Sequence, residues 1–227
     1  MENIEFVNSQ IVQLIQSAQY SEALTQIDKQ LKSLQKVDSS LLYVPYMNKA
    51  LVLLRLNRQS EAQTVLNKAQ QISKADLKPH YLARVFYYQA IASTSLHDQI
   101  LYYTRAFNLY QHFDQNLATI CQLSIAGVKA RQNKIIEAIE IFNSNLNSAH
   151  SEQCRFKLGV LNLMRNRFKE AKRHLSSVSG THQNKANQLI KQYCGAEETE
   201  DCGAEGQEGD EDFQRYMREE MQRYLEM

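Results

Sequence analysis

A short polar phrase recurs along the chain and constrains its architecture more than any other feature. Three copies have an Asn five residues before an Ala, a basic residue four before it and a Glu directly before it. They begin at Asn57, Asn133 and Asn166, and a shorter first copy runs over residues 19–23. The Ala positions of the four copies are separated by 39, 76 and 33 residues. A phrase that recurs in this way indicates an array of structural repeats.

Apolar residues at helical spacing flank each copy of the phrase. In the second copy the flanking residues are Leu42, Tyr46, Ala50, Leu53 and Leu54 before it, and Ala62, Val65, Leu66, Ala69 and Ile72 after it. Intervals of three and four residues place apolar side chains on one buried helix face. The phrase is therefore predicted to be the turn of a helical hairpin, whose Asn caps a helix or adopts left-handed backbone geometry.

Small and bulky residues recur at fixed distances within the hairpins. The small residues Ala50, Ala90, Ala126 and Gly159 lie twelve residues before Ala62, Tyr102, Ala138 and Ala171. A bulky apolar residue stands four positions after the Ala of each phrase, as Ile27, Leu66, Phe142 and Leu175. Small side chains at such positions let two helices pack closely.

This arrangement resembles the tetratricopeptide repeat, over about residues 4–178 and as five hairpins. The chain departs from the family in having no Trp. In the third hairpin Tyr102 replaces the Ala, and the turn is placed at residues 97–101. The resemblance implies an all-α, right-handed solenoid of helical hairpins; the alternative is an irregular helical bundle. A further helix near 181–193, containing Leu189 and Ile190, is expected to cover the last repeat, because a terminal repeat lacks a neighbour.

Charge divides the chain near residue 194. Residues 1–194 carry 23 basic and 13 acidic side chains, whereas residues 195–227 carry 3 basic and 12 acidic side chains. We therefore predict a repeat domain at 1–194, an acidic Gly-rich linker at 195–209 and a short amphipathic helix at 210–227. The opposed charges suggest a tail that contacts its own body or a body that binds an acidic partner, and a solvated surface with an unrelated tail is the alternative.

The resemblance also implies which side chains face a concave groove lined by the first helices. They are Val44, Met47, Asn48, Leu51 and Arg55 in the second hairpin, Arg84, Tyr87, Tyr88 and Ile91 in the third, Ile120, Leu123, Ser124 and Arg131 in the fourth, and Gln153, Phe156, Lys157, Val160 and Met164 in the fifth. Aromatic, Met and Arg side chains frequently dominate binding energy at protein interfaces. The tail offers a second apolar stripe, formed by Phe213, Tyr216, Met217, Met221 and Tyr224.

No motif for catalysis, a cofactor or a metal stands out. His150 and Cys154 lie one helical turn apart, but a metal site needs three or four ligands. We expect no small-molecule substrate. No run of about 18 apolar residues or secretory leader is evident, and the chain contains no CxxC pair, so a cytoplasmic or nuclear protein without a membrane span is expected.

The sequence therefore favours a non-catalytic adaptor or scaffold, acting within a larger assembly and holding a peptide or helix of a protein partner in the groove. One alternative is a binder of nucleic acid or another acidic surface through the basic body. A second is a binder of chaperone C-terminal tails, because Asn48 and Arg84 fall on two of the five positions that hold the terminal carboxylate in that class of the family.

Overall fold

The computed structural model describes residues 4–34, 39–75 and 78–194, and these segments contain eleven α-helices and no strand. The helices are α1 (Ile4–Gln16), α2 (Tyr20–Leu34), α3 (Tyr43–Arg55), α4 (Gln59–Ala75), α5 (Pro79–Ala92), α6 (Leu96–Tyr110), α7 (Gln115–Arg131), α8 (Ile135–Ser144), α9 (Ser151–Leu163), α10 (Phe168–Ser176) and α11 (Gln183–Tyr193). Short 3₁₀ helices at Ser39–Leu42 and Gly180–His182 precede α3 and α11. Consecutive helices pack in pairs, which confirms the predicted all-α class built from helical hairpins.

The recurring Asn sits at the turn between the two helices of a hairpin. Asn57, Asn133 and Asn166 have φ values of 56°, 62° and 57°, and Ala18 has φ 58° at the matching point of the first hairpin. Around Asn57, the N–H of Arg58 donates to the carbonyl of Leu53 at 2.9 Å, and the N–H of Asn57 donates to the carbonyl of Leu54 at 3.1 Å. This pair of hydrogen bonds is the Schellman motif, which satisfies the last carbonyls of a helix. The predicted left-handed geometry of the Asn is confirmed.

The residue after the left-handed position directly precedes the second helix of the hairpin, and its carbonyl accepts the first hydrogen bond of that helix. The Arg58 carbonyl accepts from the Ala62 N–H at 3.0 Å, and the Arg167 carbonyl accepts from the Ala171 N–H at 2.9 Å. Both Ala side chains are fully buried. The phrase therefore encodes a helix end, a helix start and a close packing position within six residues.

The third hairpin turns differently, and its predicted register is wrong. Helix α6 begins at Leu96, so the residues expected to form the turn lie inside the helix. The turn falls instead at residues 93–95, where Ser93 and Ser95 have extended backbone and the Ser95 side chain accepts from the Asp98 N–H at 3.3 Å. A serine N-cap replaces the left-handed Asn, since its oxygen satisfies one of the first amides of the helix. Tyr102 consequently does not occupy the position of the phrase Ala.

The chain divides into two compact units, Met1–Cys121 and Gln122–Met227. In the first unit one core cluster joins α1 to α4 and includes Ile11, Ile27, Leu53 and Leu66. A second cluster joins α5 and α6 with the first part of α7, and includes Phe86, Ala106 and Cys121. Both prolines fit this arrangement: Pro79 is the first residue of α5 and Pro45 the third residue of α3, where a missing N–H removes no helix hydrogen bond.

The core of the second unit is built around α9. Every residue from Phe156 to Leu163 is buried, so this stretch has no solvent-facing side. Gly159 lies against α10 so closely that an added Cβ would meet Leu175 Cγ and Cδ2 at 2.5 Å. Helix α11 then packs on α10 and buries Ala186 and Leu189, which confirms the predicted terminal helix near 181–193.

Candidate functional site

Two neighbouring helices of the first unit, α3 and α5, each present a stripe of accessible side chains. The stripe on α3 consists of Val44, Asn48, Leu51 and Arg55, and the stripe on α5 consists of Arg84, Tyr87, Tyr88 and Ile91. Residues three and four apart share one face of a helix, so each set forms a continuous surface. Val44 is 39% exposed and Ile91 38% exposed, and both Arg side chains are exposed. These eight residues are hereafter the α3/α5 stripe.

Tyrosine rings join the two helices at one end of this stripe. The rings of Tyr43 and Tyr81 stack with centroids 4.1 Å apart, and the Tyr43 hydroxyl donates to the Tyr81 carbonyl at 3.1 Å. Burial raises the pKa of Tyr43 and of Tyr110, and the Arg84 charge opposes both shifts. Both hydroxyls therefore stay protonated at neutral pH, as hydrogen-bond donors beside a fixed cation.

The α5 part of the stripe is held by ring contacts. Arg84 lies over Tyr88 with its guanidinium carbon 6.0 Å from the ring centroid, and Tyr87 makes an edge contact with Tyr88 at 5.7 Å. Tyr87 also makes an edge contact with Tyr103 of α6 at 5.6 Å. Cation–π and edge-to-face contacts of this kind orient the side chains before a ligand arrives.

Asn48 supplies a hydrogen-bond donor within the stripe. Its Nδ2 atom is buried and has no hydrogen-bond partner in the structure. A buried amide nitrogen without an acceptor costs free energy, because it has lost its hydrogen bonds to water. A ligand oxygen would reach this atom only once the surrounding side chains move. The accessible part of the stripe offers apolar contacts and two cations.

The structure corrects the prediction for several groove residues. Met47 and Leu123 belong to the cores of the two units, and Phe156, Lys157 and Val160 are buried on α9. Phe156 stacks on His182 with centroids 5.0 Å apart, so its ring packs against the turn before α11. The spacing of residues within one helix identifies a face, but it does not reveal that a second helix covers that face. These residues are left out of the candidate surface.

The remaining predicted residues have intermediate exposure or lie outside the described residues. Ile120, Ser124, Arg131, Gln153 and Met164 are each partly buried. The five apolar residues predicted for the tail, Phe213, Tyr216, Met217, Met221 and Tyr224, lie outside the described residues, as do the predicted linker and C-terminal helix. Sequence reasoning missed Tyr43, Tyr81 and Tyr110, although a concentration of Tyr residues between 81 and 110 was a usable signal.

A polar cleft of about 550 Å³ is a separate feature of the first unit. It is formed by the start of α4, the end of α5 and the start of α6, with the lining residues Gln59, Ser60, Gln63, Thr64, Asn67, Ala92, Ser93, Thr94, Asp98 and Tyr102. Inside the first unit, the Oε1 atom of Gln63 is buried without a hydrogen-bond partner. None of the lining residues belongs to the α3/α5 stripe, so the cleft provides a place for control substitutions.

The remaining candidates for a reactive or metal-binding role are the Cys and His side chains. Cys121 and Cys154 are buried, and burial raises the pKa of the Cys121 thiol to about 12 and that of Cys154 to about 11. Buried thiols of raised pKa behave as small apolar groups. Across residues 4–34, 39–75 and 78–194, no group of three or more His, Cys, Asp or Glu side chains is placed to hold a metal ion.

The comparisons with known proteins define the class of the fold. No family model matches the sequence, and no curated protein matches it. Among solved structures, the crystal structure of the apo form of RapI, a helical-repeat protein, is similar with a TM-score of 0.65 and 14% sequence identity. The match covers 97% of this chain and 80% of that chain. The chain therefore has a helical-repeat fold. None of its described helices is long and apolar enough to cross a membrane.

Proposed function

We propose that the protein is a non-catalytic adaptor that holds a peptide or helix of a protein partner on the α3/α5 stripe. The observation that carries the proposal is the combination of accessible apolar, Tyr and Arg side chains on neighbouring faces of α3 and α5. Protein interfaces are enriched in Tyr and Arg, and a few such residues supply most of the binding energy.

The chemistry of the stripe suggests the chemistry of its ligand. Ile91, Leu51 and Val44 suit apolar anchors at intervals of three or four residues, as on one face of a helix. Arg55 and Arg84 favour acidic side chains or a terminal carboxylate. We therefore expect a segment that combines apolar anchors with negative charge.

Substitution of exposed residues tests this proposal without disturbing the core. Ile91→Ser should weaken capture of the native partner by about tenfold, because it removes an apolar contact at the interface. Leu101→Ser on α6 is the matched control, since Leu101 is 40% exposed and Ile91 38%. Affinity purification of the full chain from its native source identifies the partner. Quantitative mass spectrometry then measures how much of that partner each variant recovers relative to the unsubstituted chain. Equal partner recovery with both variants would contradict the proposal.

A second candidate function rests on the distribution of charge. Residues 122–194 carry twelve basic and four acidic side chains, a net charge of +8, whereas residues 1–121 carry eleven basic and nine acidic ones. A surface of this kind suits a nucleic acid or another polyanion. The two candidates respond differently to salt, because phosphate binding releases counterions and weakens steeply as salt rises. A partner retained at about 0.5 M salt, where the screening length is only about 4 Å, favours the adaptor.

A further inference from the structure

The positive charge of the second unit lies next in sequence to the most acidic part of the chain. Residues 122–194 have a net charge of +8, and residues 195–227 have a net charge of −9, from twelve acidic and three basic side chains. The first 121 residues have a net charge of only +2. Charge complementarity within this protein is therefore concentrated between residues 122–194 and residues 195–227, both of which belong to the second unit.

The described chain ends beside an exposed apolar side chain. The Sγ atom of Cys194 lies 3.8 Å from the carbonyl oxygen of Phe168, the first residue of α10. Phe168 is 42% exposed. Burial raises the pKa of the Cys194 thiol, and the charge of Lys172 opposes that rise. The described part of the chain therefore ends at Cys194, beside the first residue of α10.

Basic side chains surround this point. Arg167, Lys169, Lys172 and Arg173 are all exposed, and Lys191 of α11 is exposed as well. Lys169 lies three and four residues from Lys172 and Arg173, and like charges at these intervals destabilise a helix. Arg167 and Lys169 also lie at the positive end of the helix dipole, where anions are favoured and cations are not. Glu170 is the only acidic residue of α10, so further acidic groups docked here would reduce the remaining repulsion.

We propose that the chain's own residues 210–226 dock on this surface, defined by Phe168 and by Arg167, Lys169, Lys172 and Arg173. This segment carries six acidic and three basic side chains, a net charge of −3. Its acidic side chains at residues 210–212 and 219–220 pair with the basic residues, and the apolar stripe that begins at Phe213 covers the Phe168 ring. The intervening residues 195–209 span up to about 50 Å when extended, so the segment can reach every part of α10. Its tethering gives an effective concentration on the order of millimolar, so a weak contact suffices for occupancy.

Zero-length carbodiimide coupling of the full chain tests this docking directly, because it joins a Lys amine to a carboxylate only where they form an ion pair. We expect links from Asp210–Glu220 to Lys169 or Lys172, in yields about fivefold above those to Lys29 and Lys32 of α2, because tethering favours the nearer surface. A mixture of ¹⁵N-labelled and unlabelled protein distinguishes links within one molecule from links between molecules. Links spread evenly over all lysines, or found only between molecules, would overturn the proposal.

Hydrogen exchange on full-length variants provides an independent test. The Lys169→Glu/Lys172→Glu variant should exchange the amides of 213–225 about tenfold faster than the unsubstituted chain, since an undocked helix of this length is marginal in water. Lys29→Glu/Lys32→Glu is the matched control, because it reverses two lysines at the same spacing on α2 and should leave that exchange unchanged. The proposal would be contradicted if the amides of 213–225 were unprotected in the unsubstituted chain, or if they stayed protected in Lys169→Glu/Lys172→Glu. The inference does not depend on the α3/α5 stripe, so it can fail while the proposed function stands.

Discussion

At the residue scale, one backbone conformation accounts for most of the repeated phrase. Four hairpins end their first helix in a left-handed residue, and three of these residues are Asn. After Gly, Asn is among the residues that adopt positive φ most readily, which is why it recurs there. Ala18 occupies the same conformation with φ 58° and lacks that tolerance. The first hairpin therefore carries backbone strain at Ala18, whereas an Asn lowers that strain at the matching position of the other three hairpins.

The strain at Ala18 gives a first prediction. Ala18→Gly should stabilise the protein by about 1 kcal/mol, because Gly adopts positive φ without steric cost. Ala18→Val should instead be destabilising by a similar amount, since a β-branched side chain fits this region poorly. Urea titration of both full-length variants measures the change in the free energy of unfolding. A loss of stability in Ala18→Gly, as expected for an Ala→Gly change in a helix interior, would contradict the observed turn geometry.

At the scale of helices, the second unit depends on a close approach between α9 and α10. An added methyl group at Gly159 would lie 2.5 Å from Leu175 Cγ and Cδ2, a distance at which either the Leu175 side chain or one of the helices must shift. Gly159→Ala should therefore lower the free energy of unfolding by about 1–3 kcal/mol through overpacking. The result can be read from the same urea titration or from a thermal melt.

Gly127 of α7 is the matched control for Gly159. A Cβ atom built at Gly127 meets nothing within 4 Å. Gly127→Ala should therefore raise the free energy of unfolding by about 0.5–1 kcal/mol, because Ala loses less backbone entropy than Gly on forming a helix. Opposite signs for the two Gly→Ala changes are the expected pattern. A gain of stability in both variants would show that the close contact between α9 and α10 is not formed.

The sequence predicts helices well where a local signal defines them. Asn57, Asn133 and Asn166 mark turns because the chemistry of a helix end is contained within a few neighbouring residues. The third turn was missed because Ser93 and Ser95 form it with extended backbone and a side-chain cap, and this leaves no left-handed residue to recognise. Local signals therefore identify helices more reliably than they identify the junctions between them.

Only part of the candidate surface could be predicted, because some of the contacts that shape it join segments far apart in the sequence. Spacing identified the accessible faces of α3 and α5, including Arg84 and Ile91, because those faces remain open in the structure. The same reasoning failed at Phe156, where a turn far along the chain supplies the stacking partner His182. It also missed Tyr43 and Tyr81, because their stacking depends on two helices meeting. The periodicity of one segment gives no information about its contacts with a distant segment.

At the scale of the whole molecule, different parts of the chain carry different surface chemistry. The first unit presents the α3/α5 stripe and a nearly balanced charge, and residues 122–194 of the second unit concentrate the basic side chains. The predicted division into a repeat domain at 1–194, a linker and a C-terminal helix stays a prediction. So does the expected cytoplasmic or nuclear location. The separation of apolar and basic surfaces lets each proposed contact be tested without altering the other.

Site-specific photo-crosslinking in the native source tests the central claim most directly. A photoreactive amino acid at Arg84 or Ile91 should capture a protein partner, because both positions are exposed on the α3/α5 stripe. The same group at Leu101 on α6, which is exposed to a similar degree, should capture about tenfold less of that partner. Capture of the same protein when irradiation is carried out at about 0.5 M salt would agree with an apolar interface. Equal capture from Leu101 and Ile91, or capture of nucleic acid alone, would contradict the account.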